Sequence, residues 1–359
     1  MLFRSEFMQF SKTGVWIVFP LLMLAAFALG QAPAGANDEA VAAITAEDPW
    51  TLNNSPISTA GQKASVPSLA LGPDGTLHTA FKQGTLLSST ANEAYYSFST
   101  NNGTTWSTPE QIFFDPFSFV IDKVDIAVSN NGTVHTAWIE KNNSTLQFTL
   151  YYAQRSDGVW SAPEIVEQVN NPSVLDQPSL EVTNSQAFLT WANTSRIRFA
   201  SRANGSWGAP IEIGRSDLPE LALDDQGNLH LVYLESRDTN VARYTQSVDG
   251  GATWSNDIGI SSTNKDGKDI DLTVNGTTVH VVFGASLVVG GSIDPISSTP
   301  IIDPYHISCS ANCTTAASWG IEVNPTSIQS GNAPADAILL VPSIKITDAG
   351  DAMIFYHGV

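Results

Sequence analysis

Ser247-Val248-Asp249-Gly250-Gly251-Ala252-Thr253-Trp254 and Ser99-Thr100-Asn101-Asn102-Gly103-Thr104-Thr105-Trp106 share one pattern, Ser-x-(Asp/Asn)-x-Gly-x-Thr-Trp, and that pattern decides the fold. Its chemistry is that of a turn. The Asp or Asn side chain bonds local backbone amides, the glycine takes a positive φ, and the tryptophan folds back over the hairpin. Shortened copies read Arg155-Ser156-Asp157-Gly158-Val159-Trp160 and Arg202-Ala203-Asn204-Gly205-Ser206-Trp207. A strand such as Tyr95-Tyr96-Ser97-Phe98 leads into each copy, and one such as Glu164-Ile165-Val166 leads out.

A second half-repeat, Gly-x-(Leu/Val)-His-x-x-aromatic, alternates with the first. It appears at Gly75 to Phe81, Gly132 to Trp138 and Gly227 to Tyr233, and with one extra residue at Gly276 to Phe283. Weaker copies run from Gln186 to Trp191 and from Asp351 to Tyr356. An alternating apolar run such as Leu221-Ala222-Leu223 precedes each copy, which gives a further hairpin. The period is roughly 50 residues, and each period supplies four short antiparallel strands, the unit of a propeller blade. The tryptophan series (Trp50, Trp106, Trp160, Trp207, Trp254, Trp319) and the first-half series have six members each. The expected fold is therefore an all-β propeller with six four-stranded antiparallel blades. Trp50-Thr51-Leu52 is expected to form the outer strand of the last blade and close the ring. The chain stops after a second strand at His357-Gly358-Val359, so the last blade is either short or cut off, and a seventh blade stays open as an alternative.

The 359 residues include 35 acidic and 16 basic ones, for a net charge of −19. This balance disfavours nucleic acid and anionic membrane surfaces, and favours a neutral glycan, a cationic partner or a divalent cation. Charged residues make up only 14%, which suits an exported β-protein dressed in Ser, Thr and Asn. The N-terminus carries Arg4 and Lys12, an apolar run from Val15 to Leu29 and the small-residue exit Ala34-Gly35-Ala36. Residues 1–36 read as a secretory signal, 37–48 as a short linker and 49–359 as the propeller, which makes the mature protein secreted or extracytoplasmic with no membrane span. An uncleaved anchor is the competing reading. The two cysteines, Cys309 and Cys313, are placed to close a small disulfide loop in an oxidising compartment, and they have no histidine pair at zinc-ligand spacing.

The boxes and their periodicity resemble those of the Asp-box (BNR-repeat) sialidase-like superfamily over residues 50 to 359. In the first full box the resembling residues are Ser99, Asn101, Gly103, Thr105 and Trp106. In the second they are Ser247, Asp249, Gly251, Thr253 and Trp254. The resemblance implies a β-propeller whose boxes lie on the face away from the substrate. Sialidases of the family grip a carboxylate with three arginines, the first in a Phe/Tyr-Arg-Ile-Pro motif ahead of the first box, and use a Tyr/Glu nucleophile pair with an Asp acid/base. This sequence has no arginine between Arg4 and Arg155, and lysine does not supply a planar two-pronged grip.

Aligning the repeats places Asp122, Asp176, Asp217 and Asp269 at or near the entry to the first strands. Gln83, Glu140, Asn193 and Glu235 fall two residues past the aromatic of the second strands. These groups are expected on one ligand rim, with Arg237 as the best single arginine for an anionic ligand. No catalytic residue is assigned. Solvated loop ends, a glycan-binding mouth and a cation site are three open readings of the ring. Calcium is the weakest of these for want of an Asp-x-Asp-x-Asp loop, and no cofactor is otherwise expected. The histidines at 78, 135, 230 and 280 are expected to bond neighbouring backbone rather than a metal. The repeat aromatics are expected to pack blades. Sequons at Asn102, Asn131, Asn204 and Asn275 coincide with turns. The functional expectation is a non-catalytic glycan- or protein-binding propeller. The alternative is an exo-acting glycoside hydrolase with a divergent site.

Overall fold

The computed structural model describes residues 57–60, 62–85, 92–112, 119–215, 218–235, 241–263, 265–289, 303–323, 339–346 and 352–358, with isolated strand segments at 6–9, 17–18, 28–29, 51–53 and 292–293. The linker 37–48, and the signal segment apart from those short strands, lie outside the described residues. Among the described residues the chain is all-β, with one 3-10 turn at Ala316–Ser318. It divides into two compact units, built mainly on Trp50–Pro219 and Glu220–Val359.

The first unit holds three antiparallel meanders. The first runs through Gln62–Leu71, Leu77–Thr85, Asn92–Ser99 and Glu110–Gln111. The second runs through Phe119–Val128, Val134–Asn142, Gln147–Ser156 and Glu164–Asn170. The third comprises Leu175–Val182, Gln186–Asn193, Ile197–Ala203 and Ile211–Gly214. One apolar layer, with Tyr96, Ile121, Ile126 and Trp138, gathers residues of the first and second sheets. Another, with Ile139, Leu150, Tyr152, Leu189 and Trp191, gathers those of the second and third. Sheets buried on both faces account for second strands that read as continuous apolar runs.

The second unit repeats the plan. Its first sheet runs through Glu220–Leu223, Leu229–Glu235, Val241–Ser247 and Ile258–Gly259. Its second holds Lys265–Asn275, Thr278–Val289 and Asp303–Cys309, with Val323 bridged to His306 at the edge. Its third holds Leu339–Ile346 and Ala352–Gly358. The strand expected at residues 50–52 to complete that last sheet goes elsewhere: Thr51–Asn53 pairs with Glu6–Gln9, and Ala352–Gly358 takes Ala28–Leu29 as its second neighbour. An open edge pairs with whichever strand-forming segment lies beside it.

The first strands share an irregularity. The register shifts between Ser65 and Ser68, between Asp176 and Ser179, between Gly267 and Asp269, and between Leu340 and Ser343. Pro67, Pro178 and Pro342 sit inside three of these shifts; with no N–H to give the ladder, a proline belongs at a bulge. Val66 and Gln177, just before two of the prolines, take positive φ of 52° and 48°.

Candidate functional site

The second strands of the first five sheets each bury an aromatic ring: Phe81, Trp138, Trp191, Tyr233 and Phe283. A buried indole N–H or phenol O–H requires an acceptor, and the sequence supplies carboxylates for it. Trp138 Nε1 donates to Glu140 Oε1 at 2.8 Å. Trp191 Nε1 donates to Glu167, which also accepts from Asn193 Nδ2 at 3.3 Å and lies 3.7 Å from Arg198. Tyr233 donates to Asp257 Oδ2 at 2.6 Å. Arg243 bonds Asp257 and reaches Glu235 Oε2 at 2.9 Å. In the first sheet Gln83 is held by residue 59: its Oε1 accepts from Thr59 N at 2.8 Å and its Nε2 donates to Thr59 Oγ1 at 3.2 Å.

These bonds locate the expected rim. Gln83 and Glu140 are buried, each 4% exposed, so neither presents its polar end to solvent. Asn193 and Glu235 are half-buried, Asn193 tied to Glu167 of the preceding sheet and Glu235 to Arg243 of its own. Asp176 and Asp269 are half-buried at the first-strand bulges, each accepting the next backbone N–H, at 2.8 and 2.9 Å. Register brings Asp176 beside Asn193, because Leu175 pairs with Asn193. Glu140 pairs with Ile121, next to Asp122, whose side chain lies outside the described residues. Asp217 and Arg237 also lie outside the described residues. Glu167, Asp257 and Arg243 were missed, because none of them occupies a motif position of the repeat. Among the described residues no group of three or more His, Cys, Asp or Glu side chains is arranged to hold a metal ion.

The opposite strand ends carry the hairpin turns. Ser247 Oγ accepts from Gly251 N at 2.8 Å and donates to Asp249 Oδ1 at 2.8 Å. Asp249 accepts from Thr253 N at 2.8 Å and from the Thr253 hydroxyl at 2.6 Å, and these bonds pull its carboxyl down to about 2. Ser99, Asn101, Gly103 and Thr105 form the same net, with the amide in place of the carboxylate. Cys309 occupies the place of Ser99 and Ser247: it pairs with Val279 as Ser99 pairs with Leu77 and Ser247 with Leu229. There a Cys309–Cys313 disulfide replaces the hydrogen bonds.

In the two shortened copies, arginine takes the serine position or precedes it, and its work is at the seam between sheets. Arg155 bonds Glu110 of the preceding sheet at 3.0 Å and covers the Tyr96 ring, against which Trp160 stands edge-on. Arg202 bonds Glu164 at 2.6 Å and covers Tyr152, with Trp207 edge-on. In the second unit Trp319 stands against Tyr244 in the same manner. These tyrosines hold the repeat histidines: His78, His135 and His230 meet Tyr96, Tyr152 and Tyr244 at 2.7, 2.6 and 2.8 Å, and His280 meets His306 at 3.2 Å. The partner is thus a side chain on the adjacent strand, not the backbone group anticipated, because the backbone there is already used by the ladder.

Neither a protein-family model nor a curated protein matches the chain. Solved structures do. A protein of unknown function from Dyadobacter fermentans aligns with TM-score 0.54 at 14% identity, covering 84% of this chain and 96% of that one. The intramolecular trans-sialidase from Ruminococcus gnavus aligns with TM-score 0.53 at 12% identity, covering 84% and 92%. The Penicillium chrysogenum α-L-arabinanase aligns with TM-score 0.52 at 11% identity, covering 82% and 93%. The likeness shows a β-propeller fold. The four-strand meanders have the plan of propeller blades, and likeness at such identity carries the fold alone. In this propeller the arginines serve the blades: Arg155, Arg196, Arg198, Arg202 and Arg243 each pair with a glutamate from a neighbouring strand or blade.

Proposed function

We propose that the chain is an exported six-bladed propeller that binds a neutral glycan or an extracellular protein at the strand ends around Asp176 and Asn193, and does not hydrolyse sialosides. The observation that carries this reading is the commitment of the arginines. Arg155, Arg196, Arg198, Arg202 and Arg243 are engaged with carboxylates of neighbouring strands, so a grip on a substrate carboxylate by any of these five would require breaking its pair, which leaves exposed Arg215 and, outside the described residues, Arg237 for that role. The net charge of −19 adds long-range repulsion against an anionic sugar. Half-buried Asp176 and Asn193, adjacent in register, offer acceptor and donor groups of the kind that bind sugar hydroxyls. Export rests on the N-terminal pattern, and the secreted form is expected to begin near Asn37.

Glycan-array binding by the mature chain is the test. Asp176→Asn with Asn193→Ala is expected to weaken the selected glycan about tenfold or more while the chain stays folded, the thermal midpoint falling only by the share of the lost Asn193–Glu167 bond. Binding that is indifferent to both changes removes this site. Turnover of a fluorogenic sialoside, abolished by Arg237→Ala, overturns the reading in favour of a hydrolase with a divergent pocket. Likeness to an arabinanase adds one further assay: release from a fluorogenic α-L-arabinofuranoside would favour that hydrolytic alternative.

A further inference from the structure

The chain contains four Asn-Gly steps, at Asn102-Gly103, Asn131-Gly132, Asn204-Gly205 and Asn275-Gly276. Such a step can modify itself. The backbone nitrogen of the glycine attacks the asparagine side-chain carbonyl carbon, ammonia leaves, and a five-membered imide forms. Water then opens the imide to aspartate or to its β-linked isomer. The reaction needs a glycine N–H free of other bonds and a side-chain amide free to swing over it.

The fold treats the four steps differently. Gly103 N–H is held by Ser99 Oγ at 2.9 Å, and the Asn102 turn is fixed by the network around Asn101. Gly132 N–H is held by Ser129 O at 2.8 Å, and the Asn131 side-chain oxygen accepts from Ser129 Oγ at 2.6 Å and from Thr133 N at 3.1 Å. Asn275 is half-buried at the end of a ladder strand, paired with Thr278. Asn204-Gly205 is the exception. It forms the two-residue turn between paired Ala203 and Ser206, with φ of 53° and 82°, as a tight primed hairpin turn demands. Both residues are exposed. Among the described residues neither the Asn204 side chain nor the Gly205 N–H has a hydrogen-bond partner, although Gly205 O accepts from Arg202 Nη2 at 3.3 Å.

We infer that Asn204 is a self-modification site of the folded chain, converting to aspartate and isoaspartate ahead of Asn102 and Asn131. The product places a carboxylate, and in the isomer an extra backbone atom, two residues from the Arg202–Glu164 ion pair that joins the second and third blades.

The test is peptide mapping by mass spectrometry of the unglycosylated full chain, aged at mildly alkaline pH and followed by the mass gain of amide-to-acid conversion. Asn204 is expected to convert about tenfold faster than Asn102 and Asn131, the factor set by one hydrogen bond that must break before Gly103 or Gly132 can attack. In denaturant the four sites should converge on similar rates. Ser99→Ala, which releases Gly103 N–H, should accelerate Asn102 in the folded chain. The inference is overturned if Asn102 or Asn131 keeps pace with Asn204 in the native protein, or if the native and denatured chains show the same ranking and ratios.

Discussion

His78, His135 and His306 show what burial does to a single side chain. Desolvation drives the first two imidazoles down to about 4 and the third to about 3, His280 adding to the depression of His306. His230 is lowered by the same cause, partly offset by Asp224 at 3.3 Å. Each is neutral when folded and holds a proton more readily when unfolded. Their contribution is therefore complete above the unfolded value near 6.5 and is lost as pH falls towards 4. Thermal midpoints measured from pH 7 to pH 4.5 should fall steadily, with His78, His135 and His306 each worth on the order of 2 kcal/mol. His135→Gln should flatten the profile. A profile level down to pH 5 would count against this account. Loss of the Asp249 turn belongs to a lower window, because its carboxyl titrates near 2. The sequence marked the histidines as structural. It gave no sign that a tyrosine on the next strand would be the partner of three of them.

Neighbouring elements are joined through a carboxylate that the repeat alignment passed over. Asp125 lies in the first strand of the second blade. Its Oδ1 accepts from Ser68 Oγ of the first blade at 2.6 Å, and its Oδ2 accepts from Leu180 N of the third at 2.7 Å. Asp271 repeats the device in the second unit, accepting from Ser343 Oγ at 2.7 Å and from Ile344 N at 3.0 Å. In both units an aspartate of one first strand thus meets a serine of the next sheet's or preceding sheet's first strand. Asp125→Ala leaves the Leu180 N–H without its acceptor and should cost about 2–3 kcal/mol. A double-mutant cycle with Ser68→Ala, read by denaturant unfolding, should show coupling of about 1 kcal/mol. Strict additivity would show that the seam does not depend on this bond. Asp122 and Asp269 attracted attention because they stand at strand entries. The bulge at each entry decides which aspartate meets the next blade, and a bulge alters register without altering composition.

At the scale of the molecule, 35 acidic residues against 16 basic ones leave a self-repelling surface. The blade arginines neutralise seams rather than this surface. Added salt screens the repulsion within about 10 Å at 0.1 M ionic strength, so the thermal midpoint should rise by a few degrees between low salt and physiological salt. A falling midpoint would mean that the inter-blade ion pairs outweigh net repulsion. The halves of the chain obey the same blade grammar, yet their turns are secured by different chemistry: hydrogen-bond nets at Ser99 and Ser247, arginine seams at Arg155 and Arg202, and a disulfide at Cys309.

The sequence by itself determined the strand-and-turn grammar. Period-two apolar runs, glycines at positive-φ turns and a returning tryptophan are local requirements, each satisfied within about a dozen residues. What only the tertiary structure decided is which polar groups remain for a ligand. Glu140 and Gln83 align with Asn193 and Glu235 in the repeat, but burial of Trp138 and the reach of Thr59 consume the first pair. Whether a carboxylate faces solvent or an indole N–H depends on packing between strands distant in sequence, and no local pattern encodes that packing.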